Sequence, residues 1–160
     1  GEGSLVSDNT PTTLFSLSVP AGIMGLWGML RVTLDFVYEN TTGADATIAW
    51  TITFGASAFV DTTANIATSA NPRWGRLDFL IANKGTASTQ GFNGILRIGP
   101  VDGAATGFGD LGANDTINTT FGNNLTQDTT TALTLSSAMT MSAASGNAFG
   151  VKNVRVEVVG

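Results

Sequence analysis

The sequence predicts an all-β fold, an antiparallel β-sandwich, and three observations carry that reading. Residues 29–39 run Met-Leu-Arg-Val-Thr-Leu-Asp-Phe-Val-Tyr-Glu, with Leu30, Val32, Leu34, Phe36 and Tyr38 at every second position. Successive side chains of a strand point to opposite faces, so a period of two makes one dry face and one wet face. The wet phase holds Arg31, Thr33, Asp35 and Glu39, with Val37 an apolar residue among them. Second, no window combines helical apolar spacing with good helix formers, and Thr, Gly, Asn and Ser dominate instead. Third, the alternation returns along the chain, and each dry face needs a facing sheet to cover it.

The bulk composition bounds the rest. A length of 160 residues suffices for one domain with a sizeable core. The expected division is a flexible N-terminal arm over residues 1–11, polar and glycine-rich, and a single sandwich domain over 12–160. A hydrophobic content of 42% excludes a disordered acidic tail. Seven Lys and Arg stand against 12 Asp and Glu, a formal net charge of −5, and the basic residues are scattered. No phosphate-neutralising field follows, so no nucleic-acid partner is expected. Cysteine and histidine are both absent, which removes disulfides, thiolates and the usual neutral-pH acid–base group. No run approaches the roughly 20 apolar residues of a membrane helix, so no membrane partner is expected. No basic segment precedes an apolar run in the manner of a signal peptide. A chain opening on Gly1 reads as trimmed or cut from a longer one.

The elements follow in order. Residues 12–19 alternate and end at Pro20, which cannot donate to a ladder, and they read as an edge strand. Residues 21–28 form a loop carrying Ile23, Met24, Leu26 and Trp27, which either folds over one end of the core or meets a neighbouring subunit. After the strand at 29–39 and a polar turn, residues 47–54 alternate again with Ile48, Trp50, Ile52 and Phe54 inward. The short connection between these two strands predicts a hairpin. Residues 58–66 read as a short strand and loop. Pro72 is expected to open a strand at 73–83, with Leu77, Phe79 and Ile81 on one face. A turn follows with Gly85 available for positive φ, then a strand at 91–98 beside it.

Residues 99–127 are the least regular, and a structureless loop of that length is unusual, so one irregular strand is expected near 115–121. Residues 129–141 resume the period of two with Leu133, Leu135, Ser137, Met139 and Met141 in phase. In the last strand, 148–159, Phe149 and Val151 share one numerical phase and Val154, Val156 and Val158 the other. A β-bulge at Lys152 and Asn153 restores a single inward face. Without the Cys–Trp–Cys pattern of immunoglobulin domains, a jelly-roll sandwich is the preferred architecture. Leu34, Trp50, Phe79 and Leu135 are the expected core.

Several of these stretches resemble a known family. The run Ser-Val-Pro-Ala-Gly at 18–22, Gly25, Trp-Gly-Met-Leu-Arg-Val-Thr at 27–33, Phe54-Gly55, residues 74–85 and residues 148–158 resemble the small jelly-roll domains of tailed-bacteriophage virion proteins. These are capsid decoration proteins and tail or head fibres. The resemblance implies a non-enzymatic structural protein at the virion surface, a homo-oligomer expected as a trimer. Its partners would be its own copies and the major capsid protein or another virion protein. A receptor- or glycan-binding fibre domain is the alternative, and a cellular carbohydrate-binding module a further one. No catalytic residue is carried over, and residues 99–127 match the pattern least.

The chemistry agrees with that expectation. A serine hydrolase lacks its base, and no phosphate loop or dinucleotide fingerprint is present. No cofactor is expected. Two carboxylates suffice for a glycosidase, but Asp35, Glu39 and Asp78 lie on exposed phases and read as a solubilising or salt-bridged surface, and Arg76 beside Asp78, like Arg155 beside Glu157, is expected to supply cross-strand ion pairs. Asp102, Asp110 and Asp115 are the candidate oxygen ligands for Ca²⁺, set against ordinary turn carboxylates. Trp27 and Trp74, at strand starts, are the candidate glycan contacts, and Ile23, Met24, Leu26 and Trp27 the candidate oligomer or capsid contacts.

Overall fold

A computed structural model describes residues 10–44, 46–66, 69–99, 117–142 and 146–160. Nine strands are present among them: β1 (Thr12–Val19), β2 (Met29–Asn40), β3 (Ala46–Phe54), β4 (Ser57–Ile66), β5 (Ser69–Asn83), β6 (Gln90–Ile98), β7 (Ile117–Leu125), β8 (Leu133–Met141) and β9 (Asn147–Val159). They form two antiparallel sheets, a four-stranded one in the order β1-β8-β3-β4 and a five-stranded one in the order β7-β6-β5-β2-β9. The fold is all-β, consistent with a jelly-roll type β-sandwich.

Alternation decides which side chains line the space between the sheets. Leu30, Val32, Leu34, Phe36 and Tyr38 from β2 are buried, as are Ile48, Trp50, Ile52 and Phe54 from β3. Leu77, Phe79 and Ile81 from β5 and Leu135, Met139 and Met141 from β8 complete the middle. Trp50 bridges the sheets: its ring lies 5.3 Å from Phe36 and 5.5 Å from Phe149, which stack on each other at 4.9 Å. Such aromatic pairs add about 0.5–1.5 kcal/mol each beyond their burial. Phe36 also lies over Gly75, opposite it in the ladder, where any Cβ would collide with the ring. Two polar atoms in this core, Trp50 Nε1 and Ser137 Oγ, have no hydrogen-bond partner among the described residues.

The β9 bulge falls where the change of phase placed it. Asp35 pairs with Asn153 and Phe36 with Val151, so Lys152 is the extra residue. Phe149 before it is buried, and Val151, Val154 and Val156 all pack on the core.

Three expectations are corrected. β2 and β3 do not form a hairpin: β2 pairs with β5 and β9, and β3 with β4 and β8. Either pairing buries the same alternate residues, so periodicity does not separate a hairpin from a corner between sheets. Asn40 builds the corner, donating to the Ala44 carbonyl at 3.0 Å and accepting from the Thr42 amide at 3.0 Å. β5 begins at Ser69, ahead of Pro72, which sits where the register with β2 breaks between Tyr38 and Asn40, a position that spares the missing N–H. β8 begins at Leu133 because Asp128 holds residues 128–131 in a turn, accepting from the Thr130 amide and hydroxyl at 3.0 and 2.6 Å. The irregular strand expected near 115–121 is β7, while the N-terminal arm lies outside the described residues up to residue 9.

Candidate functional site

Two surfaces gather the residues that the sequence singled out. The first closes the end of the sandwich where β2, β6 and β8 start. The loop between β1 and β2 winds through two positive-φ glycines, Gly22 (φ 71°) and Gly25 (φ 58°), with the Gly28 amide donating to the Met24 carbonyl at 2.9 Å. This winding drops Met24 into the core, where it is 3% exposed, and leaves Ile23, Leu26 and Trp27 outside. Met24 is therefore a packing residue, and the patch consists of the other three. Trp27 is 76% exposed, its indole lying against Gly85 so closely that a Cβ there would come within 2.6 Å of it.

Beneath the patch lies a polar plug. Fully buried Gln90 donates to Asn83 Oδ1 and the Gln127 carbonyl, each at 3.0 Å, and its Oε1 accepts from the Gln127 amide at 3.0 Å. Asn83 donates in turn to Thr129 Oγ1 at 3.0 Å and to the Gly25 carbonyl. The Thr129 carbonyl accepts from the Gly22 amide at 2.8 Å, and the Gly28 carbonyl from the Asn83 amide at 3.0 Å. The exposed loop is thus tied to two other connections through side chains that satisfy one another in low dielectric. Sequence reasoning missed this plug. Its signal was present as three long polar residues, Asn83, Gln90 and Gln127, at strand ends.

The second surface is the outer face of the five-stranded sheet. Arg76 Nε donates to Asp35 Oδ1 at 2.6 Å, and Arg97 Nη1 to Asp78 Oδ2 at 2.8 Å. Thr33 adds a hydrogen bond to Asp78 at 2.9 Å. The partners are cross-strand neighbours on β2, β5 and β6, the arrangement expected for Arg76 and Asp78. Arg155, expected to pair across strands, instead pairs along its own strand with Glu157. The Arg76 guanidinium holds the Asp35 carboxyl below the usual carboxylate range, assisted by Asn153 and opposed by partial burial. A glycosidase acid needs a raised pKa, the opposite shift. Val37, in the wet phase of β2, is only 8% exposed, and its ladder neighbour Trp74 is 64% exposed.

Trp74 stands at the rim of a shallow cleft of about 610 Å³ on this face, with Arg76, Arg97, Lys152, Asp35 and Asn153 around it. Trp27 and Trp74 are therefore both exposed but belong to different surfaces. Asp102, Asp110 and Asp115 lie outside the described residues, and among the described residues no three acidic side chains converge as a metal site.

No family model matches the chain, and no curated protein matches it. Among solved structures it is similar to a chain in "Structure of infectious bursal disease virus Gt strain", with a TM-score of 0.37 and 13% sequence identity. The match covers 98% of this chain and 30% of that one, so the chain spans less than a third of that protein's length. A likeness of this size carries no argument about activity, substrate or partner.

Proposed function

We propose that this chain is a non-enzymatic structural protein of a virus particle, a capsid decoration protein that assembles through the loop between β1 and β2. The observation that carries the assembly is the exposed trio Ile23, Leu26 and Trp27 seated on a buried polar plug. A monomer gains nothing from displaying these side chains, and a patch of this kind marks a contact surface. The plug holds the loop in one shape before contact, which lowers the ordering cost of association. Trp and Leu then bury apolar area against a second copy or the capsid lattice. The particle and the trimer come from the resemblance of the strand and turn sequences to phage virion jelly rolls. Closed threefold symmetry limits growth, and many docked copies gain avidity.

Sedimentation equilibrium tests the assembly. The wild type is expected as a closed oligomer of trimer mass. The double variant Leu26→Ser, Trp27→Ser is expected as a monomer with an unchanged far-ultraviolet circular dichroism spectrum. A monomeric wild type at high concentration, or an oligomer indifferent to the double substitution, overturns the contact between copies at this loop.

A further inference from the structure

We infer that the outer-face cleft at Trp74 is a binding site for an anionic saccharide, with the indole as stacking platform and Arg76, Arg97 and Lys152 as the cationic side. This inference does not rest on the virion reading.

Four observations lead to it. The cleft, about 610 Å³, falls within the roughly 300–1,000 Å³ that small-ligand sites occupy. Trp74 is 64% exposed on a central strand, held in the ladder opposite Val37, with its carbonyl accepting from the Gly99 amide at 2.8 Å. The indole therefore stands exposed on a backbone that is paired in the ladder. A Cβ on Gly99 would come within 3.1 Å of that carbonyl, so glycine lets the two backbones approach closely at the cleft.

The charge is the third observation. Among the described residues the cleft is lined by Arg76, Arg97 and Lys152 with Asp35, and Asp78 beside it pairs with Arg97, a gathering of basic side chains in a chain whose net charge is −5. Arg76 engages Asp35 through Nε, and Arg97 engages Asp78 through Nη1, with both side chains about half exposed. Each carboxylate fixes a guanidinium, and each guanidinium keeps further N–H groups for an incoming anion. Fixing the fork beforehand reduces what ordering would otherwise cost on binding.

The bulge in β9 is the fourth. By adding one residue opposite Asp35 and Phe36, it brings Lys152 and Asn153, adjacent in sequence, to the same cleft. Bulges re-aim side chains in this way beside functional sites. Asn153 donates to Asp35 Oδ2 at 3.3 Å, which supports the carboxylate that orients Arg76.

A pyranose matches this arrangement: its C–H face stacks on indole, and a carboxylate or sulfate on its rim meets the arginines. A single-stranded nucleic acid also offers rings and anions, but it needs a basic track along many phosphates, which an acidic chain with scattered cations does not supply.

Isothermal titration of the full chain decides the matter, with oligogalacturonate, sialyllactose and a heparin-derived disaccharide as acidic probes. Lactose serves as the neutral probe and oligo-deoxythymidylate as the nucleic-acid probe. At least one acidic saccharide is expected to bind saturably, with lactose at least about tenfold weaker. The affinity should fall with added salt. Trp74→Ala and Arg97→Gln should each weaken binding by about tenfold or more. Trp74→Phe should retain most of the affinity, and the remote Lys84→Gln all of it. Circular dichroism checks that each variant is folded. Absence of acidic-saccharide binding at millimolar concentration, equal binding of lactose, indifference to Trp74→Ala, or preference for the oligonucleotide would each overturn the inference.

Discussion

Replacing Gln90 with leucine tests whether the polar plug holds the docking end of the sandwich. The two side chains are close in volume, so little cavity is created and the loss is chiefly polar. Gln90 now serves Asn83 Oδ1, the Gln127 carbonyl and the Gln127 amide, each at 3.0 Å, and the Ala87 carbonyl at 3.2 Å. The Ala87 carbonyl keeps two other donors, the amide and hydroxyl of Thr129. Asn83 Oδ1 is buried and loses its partner outright, a cost of about 1–3 kcal/mol. The two groups of Gln127 are half-buried, and water can replace part of each bond, so each loses about 0.5–1.5 kcal/mol. The expected destabilisation is therefore about 2–6 kcal/mol. Urea unfolding followed by circular dichroism should show a lower midpoint with an unchanged slope. Amide exchange should accelerate at Asn83 and Gly85, whose N–H groups donate to the Gly28 and Leu26 carbonyls. A change below about 0.5 kcal/mol, as for an ordinary surface substitution, would refute the idea that this network holds the loop.

Three other outcomes follow from the core and the outer face. Leu34→Ala should cost about 2–5 kcal/mol in the same unfolding experiment, because Leu34 is fully buried in mid-strand. Ser137→Ala should be neutral or stabilising by up to about 1 kcal/mol, because it removes a buried hydroxyl that has no partner among the described residues. The Asp35 carboxyl is held low in the folded state, so its contribution is fully present above the unfolded carboxylate pKa of about 4 and is lost as pH falls through the folded value. The stability difference between wild type and Asp35→Asn should then be about 0.2–1 kcal/mol near neutrality and vanish in strong acid, measured by unfolding across pH.

Much of the fold was legible because it depends on alternation. Leu30 to Tyr38 announced β2, and the change of phase between Val151 and Val154 placed the bulge at Lys152. Arg73 shares the phase of Leu77, Phe79 and Ile81 and is buried opposite Tyr38, whose hydroxyl pKa burial pushes up to about 12, a burial that the reading of its strand did not single out. What alternation does not encode is which strands become neighbours. The β2–β3 corner depends on Asn40 capturing its own loop and on β5 and β9 occupying both edges of β2. For the same reason Arg76 was legible as an ion-pairing residue while its partner was not. Loop side chains carry no period at all. Ile23 and Met24 are adjacent and similar in hydrophobicity, and only the turns at Gly22 and Gly25 send one out and the other in. Trp74 could be recognised as a rim residue, but the arginines and Lys152 reach it from three other strand positions in the assembled sheet.

The most direct test of the central claim is the position of this protein in a purified particle, measured by cryo-electron microscopy at a resolution that traces the chain. The expected result is density on the outer capsid surface at local threefold axes, with Ile23, Leu26 and Trp27 covered by a neighbouring copy or by the capsid lattice. Density confined to the tail or to one fibre, or capsid density that leaves all three side chains facing solvent, would contradict it.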